Sequence, residues 1–413
     1  MMKFGQYLSE QKNTHMTHIE DQVIYGGVKG ARDAILALRS LRDMLAGNAT
    51  QERDVTVKWD GAPAVFCGID PTDGKFFVAK KGIFNKNPKV YKTNSDIDDD
   101  IDAPDLANKM KIALSELSKL GIRGVVQGDI MFTSDDIKKE TIDGDDYITF
   151  HPNTIVYAVA ADSNEAKEIR SARIGVVFHT SYSGKTFEDM RASYGVDSSK
   201  FRKVKSVWAR DAGLRDLSGT VTLTKKDTAD VTASLSRAGK IFNKISGNTL
   251  RELEKNPQLA TMIETHNNSY VRKGEVVKDT TKHVDSLIAF VTAKFQKEMD
   301  KRKTDAGKKA QADKRDELLK FFSKENKQSL KYLFDLQQEI VSAKLKIINK
   351  LNRLNRVNTF VKTKNGYKVT GAEGFVAIDK LKGGAVKLVD RMEFSANNFS
   401  SDIIKGWDSA SRS

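Results

Sequence analysis

Apolar positions along the chain fall into three textures. Residues 28–47 (VKGARDAILALRSLRDMLAG) carry Ile35, Leu36, Leu38, Leu41 and Leu45 at helical spacing, with Gly47 placed to end the helix. From 54 onward the runs shorten. DVTVKW, PAVFCGI and KFFVAK are β-rich and are separated by the turn signals DGAP and DPTDG. A second helix is predicted over 105–120, followed by strands in VVQGDIMF, YITFHPNTIVYAVA and RIGVVFHTSY. From 228 to 356 the pattern is helical and highly charged. Leu333, Leu336, Ile340, Ala343, Ile347, Leu351 and Leu354 step by three or four, a seam for a partner helix. Strand texture returns at 357–394 in NTFVKTKNGYKVT, GFVAID and AVKLVDRMEF. The simplest arrangement is an α+β domain made of residues 1–200 and 357–395. A helical insertion at 201–356 interrupts it, and a tail at 396–413 follows.

Charge adds a partner class to this picture. The 413 residues carry a formal net charge of +14, and residues 295–356 alone hold 17 Lys and Arg against 9 Asp and Glu. Such a surplus favours polyanions through counterion release, so the insertion reads as a basic arm for nucleic acid. Its plainer alternative is a helical hairpin with a solvated outer face. The single cysteine, Cys67, excludes a disulfide framework and a cysteine-based zinc site, and it sits in an apolar run as strand core. The N-terminal stretch lacks the apolar core of a signal peptide, and nowhere is there the ~18-residue apolar run of a membrane span. The expectation is a soluble cytoplasmic protein with no membrane partner.

Candidate chemistry begins at VTVKWDGAP (55–63). Lys58 ends a β-rich run, where backbone rigidity can hold it towards a pocket, and Gly61 permits close approach of a phosphate ligand. Lys-x-Asp-Gly alone is short enough to occur by chance, and the bland reading is a hairpin turn with an exposed lysine. Other segments repeat the theme of a charged residue inside or beside an apolar β run. They are Lys80 and Lys81 in FFVAKKG, Asp129 in VVQGDIMF, Glu373 in AEGFVAI, and Lys387 in AVKLVDR. Such placements are costly unless the residues converge on a site.

As an ordered set these segments resemble the motifs of the covalent nucleotidyltransferase superfamily, which includes ATP-dependent RNA and DNA ligases and mRNA capping enzymes. The resemblance implies an ATP-grasp-like domain of antiparallel sheets flanked by helices. Its cofactors would be ATP and Mg2+, and its chemistry polynucleotide ligation, with RNA favoured over DNA. It makes Lys58 of KWDG the nucleophile that takes AMP. Asp60, Gly61, Lys80 and Lys81 would bind ATP, Asp129 would contact the ribose or a metal-bound water, and Phe178 of RIGVVFHTSY would stack on the base. Glu373 would lie at the metal with Asp129, and Lys387 would face the α-phosphate as the second catalytic cation. The whole sequence also looks similar to a poorly characterised family encoded by large tailed bacteriophages, whose host cytoplasm would be the compartment.

Several positions depart from the motifs. Pro63 stands where many DNA ligases have arginine, and Asp129 replaces the usual glutamate. Leu388 and Val389 follow Lys387, so the motif's second cation is missing unless Arg391 supplies it. With 22 residues after Arg391, no room remains for a C-terminal OB domain. These departures leave a second class open, a ligase-like nucleic-acid-binding protein without turnover. Remaining candidates are weaker. His15 and His18 share a short segment without a third metal ligand, and His151 and His179 could border the pocket. The acidic stretch 96–105 lacks the glycine and terminal glutamate of an EF-hand. The glycine pattern fits neither a Walker A loop nor a Rossmann fingerprint, and no serine or cysteine sits in a recognised nucleophile motif, which argues against a hydrolase triad.

Overall fold

The computed structural model describes residues 17–47, 54–213, 223–354, 357–379 and 384–407. His15 lies outside them. Helices are α1 (Gln22–Tyr25), α2 (Gly27–Leu45), α3 (Asn94–Asp98), α4 (Pro104–Leu117), α5 (Asn164–Ser171), α6 (Lys225–Phe242), α7 (Gly247–Glu254), α8 (Pro257–Arg272), α9 (Thr280–Asp300), α10 (Asp305–Leu319), α11 (Lys324–Leu351) and α12 (Arg391–Phe399).

Strands form three sheets. The small sheet is β1 (Asp54–Lys58), β13 (Gly374–Asp379) and β14 (Gly384–Leu388), in that order and antiparallel. The second runs β10 (Val207–Asp211), β8 (Ile174–Ser183), β4 (Val125–Thr133), β2 (Ala64–Ile69) and β3 (Phe76–Ala79), with β9 (Arg191–Tyr194) also on β8. The third runs β12 (Gly366–Val369), β11 (Asn358–Thr363), β7 (Ile155–Ala160), β6 (Asp145–Phe150) and β5 (Lys138–Ile142), with β15 (Ile403–Ile404) on β11. The protein is therefore mixed α+β. Its strand pairs are antiparallel except β8 with β10, which is parallel.

Alternating side chains assign each sheet face to a core. One face of the second sheet, with Val65, Cys67, Val126, Ile130, Val176 and Phe178, packs on α4. The other face sends Met131, Phe132, Val177 and Trp208 against Ile148, Phe150, Ile155 and Tyr157 of the third sheet. A separate core joins α1 and α2 to helices α6–α11 and to Val55, Val57, Phe375, Ala377 and Leu388 of the small sheet. Within it the α11 seam is buried from Leu333 to Leu351, while the Leu354 side chain lies outside the described residues.

Three boundaries move relative to the sequence reading. Val207–Asp211 lies in the segment given to the helical insertion, yet it completes the second sheet as β10. The α1 and α2 segment, given to the α+β domain, packs with the helices instead. Residues after 395 are not a separate tail, because β15 pairs with β11. Short or edge strands carry little periodicity of their own, so pairing reveals them and pattern does not.

Candidate functional site around Lys58

Lys58 is the last residue of β1 and pairs across the small sheet with Gly374. Two residues further along that sheet, Thr56 is opposite Val376, and Val376 is opposite Lys387. Val55, Val57, Phe375 and Leu388 point into the helical core. Period-two alternation therefore puts Thr56, Lys58, Val376 and Lys387 on the opposite face. The Lys58 ammonium forms an ion pair with Oε1 of Glu373, and both side chains are mostly buried.

The turn after Lys58 is fixed from several sides. Trp59 is a plug, its ring 5.0 Å from Tyr157 and edge-on to Trp208. Asp60 is buried. Its carboxylate accepts hydrogen bonds from Asn153 Nδ2 (2.9 Å) and from the backbone N–H groups of Thr154 (2.7 Å) and Ile155 (3.0 Å). Its own N–H donates to the Tyr157 hydroxyl. The Ala62 N–H reaches Ile130 O, and the Ile130 N–H reaches Pro63 O, which clips the turn to β4. Gly61 is required by space, since a Cβ there would lie 2.7 Å from Asp129 Cβ and from Met131 Sδ.

Glu373 is positioned from the opposite direction. Glu393 of α12 accepts from the Thr370 hydroxyl (2.7 Å) and the Gly371 N–H (3.0 Å), and the Ala372 N–H reaches Asn352 Oδ1. These bonds fix the loop that delivers Glu373 to Lys58. A narrow, water-sized cavity of about 20 Å³ lies beside Asp60 and Glu373, next to Asp390, Glu393 and Asn397. Lys58, Asp129 and Lys387 are not among its walls.

Charge is unevenly balanced here. Burial drives the Glu373 carboxyl up to about 7, reinforced by the Asp60 and Asp129 carboxylates and opposed by Lys58. Burial alone would lower Lys58, but the Glu373 carboxylate outweighs it, with Asp60 and Asp129 adding to the rise, and the ammonium is held above the usual lysine value. Lys387 moves the other way: burial lowers it, and the nearby Lys58 cation lowers it further. A neighbouring cation by itself would depress a lysine through like-charge repulsion. The ion pair with Glu373 reverses that. Asp60 is also raised, by burial, against its three hydrogen bonds and Lys58.

Lys58, Asp129, Glu373 and Lys387 thus share one electrostatic neighbourhood, although they come from four separate segments. Other expected residues are placed differently. Phe178 is fully buried in the α4-facing core, edge-on to Phe201, so its ring is on the wrong side of β8 to meet a nucleotide. Its neighbour His179 takes the site face, with Nε2 3.6 Å from Asp129 Oδ2 and Nδ1 2.8 Å from the Thr180 hydroxyl. Counting alternation outward from Val176 on the core face would have selected His179. Arg391 cannot act as the missing closing cation, because both its terminal nitrogens are held by Asp21, with Glu20 3.6 Å from Nε. Asp60 has both oxygens hydrogen-bonded to β7 and the loop before it, so it shapes the turn. Lys80 lies 3.6 Å from Asp100, and Lys81 is exposed at the start of a short 3-10 turn. His151 is mostly buried, two residues before Asn153, and burial lowers it to about 4.

Lys387 is supported from behind by the chain's N-terminal segment. Its N–H donates to Thr17 O, and His18 bridges to it in parallel. Next in sequence, Glu20 pairs with Lys344 of α11 (2.7 Å), and Asp21 holds Arg391. A buried charge network therefore joins the closing strand to the helical unit. Burial lowers His18 to about 3, with the Arg391 cation adding to the effect, so its ring is neutral there.

Glu373 Oε2 is buried with no hydrogen-bond partner, which fits a cation or a water at that oxygen. Among the described residues, no group of three or more His, Cys, Asp or Glu is arranged to hold a metal by itself. A metal here would need a ligand's own oxygens to complete its shell.

The fold and this cluster define an α+β protein whose charged residues, drawn from distant segments, meet around one strand-end lysine. A family model described as "Family of unknown function (DUF6267)" matches residues 13–403, and the chain belongs to that family. No curated protein and no solved structure matches it. No helix among the described residues is long and apolar enough to cross a membrane.

Proposed function

We propose that this protein is an ATP-dependent polynucleotide ligase, with RNA as the preferred substrate, acting through a lysyl-AMP intermediate on Lys58. In this reading the α+β unit is an ATP-grasp-like nucleotidyltransferase domain. The observation that carries it is the convergence of Lys58, Glu373, Asp129 and Lys387, in the chain order of the superfamily motifs, on a turn that tolerates only glycine at 61.

Lys58 must lose a proton before it can attack, and free lysine has a pKa of about 10.4. Glu373 Oε1 is the group in contact with Nζ and the nearest acceptor for that proton, and the ion pair must be broken as ATP enters before Nζ can attack. The neutral Nζ then bonds to the α-phosphorus of ATP while the bond to pyrophosphate breaks. Lys387, on the same sheet face, is the cation available to the α-phosphate. Asp129 and Glu373 are the residues that would hold magnesium, which supplies neutralisation of the triphosphate charge. AMP passes to a 5′-phosphate end, and a 3′-hydroxyl displaces it to seal the strand.

Incubation with α-phosphate-labelled ATP and magnesium, followed by a denaturing gel, tests the reading. The wild type should carry a covalent label and Lys58→Ala none, and GTP in parallel tests a capping-type preference. One observation favours a second reading, a ligase-like nucleic-acid-binding protein without turnover. The closing segment offers Lys387 alone, because Arg391 is committed to Asp21. An unlabelled wild type would support that reading.

A further inference from the structure

On the outer surface of the helical unit, α2 and α6 leave an open groove of about 520 Å³ between them. Its floor is apolar. Ile35 and Leu235 are buried there, Phe242 is half-buried, and Leu36 is 43% exposed. Its rim carries Arg32, Arg39 and Lys240, all exposed, and no acidic residue lines it. None of the three cations makes a hydrogen bond or ion pair among the described residues, unlike Lys29 and Arg42 on the same helix, which pair with Asp33 and Asp43.

Gly239 supplies an independent observation. It sits inside α6, where glycine costs about 1 kcal/mol relative to alanine. A Cβ at that position would meet nothing, so packing does not require glycine there. What the missing side chain preserves is the open groove.

We propose that this groove binds a single-stranded polynucleotide and supplies the substrate grip of the ligase, a proposal that rests on the polynucleotide reading above. Arg32 and Arg39 are two helical turns apart, about 10 Å along α2. That span is wider than one small anion and suits successive phosphates of a strand. Phe242 offers a ring on which a base can stack between cation–phosphate contacts, and Leu36 extends the apolar surface beside it. The opposite face of α2 packs in the core that also holds Val55 and Val57 of the Lys58 strand, so groove and lysine belong to one packed unit.

Fluorescence anisotropy with a labelled single-stranded oligoribonucleotide, and its DNA counterpart, tests this on the full chain. Replacing Arg32, Arg39 and Lys240 together by alanine should weaken binding about tenfold or more. It should also flatten the dependence of log K on log salt by about 2, at ~0.7 per lost phosphate contact. Gly239→Leu keeps every cation and should weaken binding by filling the floor. Both variants should still label at Lys58 with ATP, so failure of the groove and failure of the adenylylation reading are separable. Should the triple variant not fold, the three single variants and Gly239→Leu carry the test. Wild-type affinity and salt slope in these variants would overturn the proposal. Competition by poly-glutamate as effective as by the oligonucleotide would overturn it in favour of an acidic protein partner.

Discussion

Lys58 stands directly across the sheet from Gly374, and its ammonium pairs with the carboxylate of the preceding residue, Glu373. The pair joins the end of β1 to the residue just before β13 and closes a site that neither segment could form alone. Much of the site's chemistry follows from this contact. It sets the proton balance of the lysine, and the buried second oxygen of Glu373 is left unpartnered.

Gly61 keeps Asp129 where it is. Gly61→Ala forces a methyl group into Asp129 Cβ and Met131 Sδ, and β4 must shift to admit it. Overpacking of this kind costs about 1–3 kcal/mol. Urea unfolding should show a loss in that range, and ATP labelling should fall further than stability does. An unchanged midpoint would mean that the turn is looser than its contacts imply.

Arg391→Ala should be among the most destabilising single changes at the domain junction. It leaves Asp21, 0% exposed, without its bidentate partner inside the protein. Removing one member of a buried pair costs about 3–5 kcal/mol. Arg391→Lys should recover only part of this, because an ammonium cannot match both carboxylate oxygens. Equilibrium denaturation of the two variants checks both statements.

The helical unit should be sensitive to acid. His266 of α8 and His283 of α9 are buried ring against ring, 4.5 Å between centroids, and the Nδ1 of each has no partner. Burial lowers both to about 4, with Lys273 adding to the effect at His266 and His266 adding to it at His283. The unfolded chain then binds more protons than the folded one between the ordinary histidine value of 6.5 and about 4. Their contribution to stability is complete above that window and is lost as pH falls through it. Each ring can add a slope of up to about 1.4 kcal/mol per pH unit. Chemical denaturation from pH 7 to pH 4 should show this slope, and a His266→Gln, His283→Gln double variant should flatten it.

How much was legible in the sequence divides along physical lines. Lys58, Glu373, Asp129 and Lys387 stood out because a charge in an apolar β run is costly, and their convergence supplies the reason it is tolerated. The seam on α11 was legible because a long helix repeats its packing face. Phe178 was misplaced by one position, which on a strand is the difference between the site face and the α4 core. Arg391 was misplaced because its partners, Asp21 and Glu20, come from the far end of the chain, and no spacing rule links them. Asp60 looked like a ligand-facing acid. Only the arrival of Asn153, Thr154 and Ile155 from a distant loop and strand reveals it as the clamp of the turn.

The most direct measurement is peptide mapping by mass spectrometry after incubation of the full-length protein with ATP and magnesium. A Lys58→Arg variant, which keeps a cation beside Glu373 but offers no amine nucleophile, serves as the control. The account predicts one added AMP, located on the peptide containing Lys58, and none in the variant. An adduct on another lysine, or equal adducts in wild type and Lys58→Arg, would contradict it.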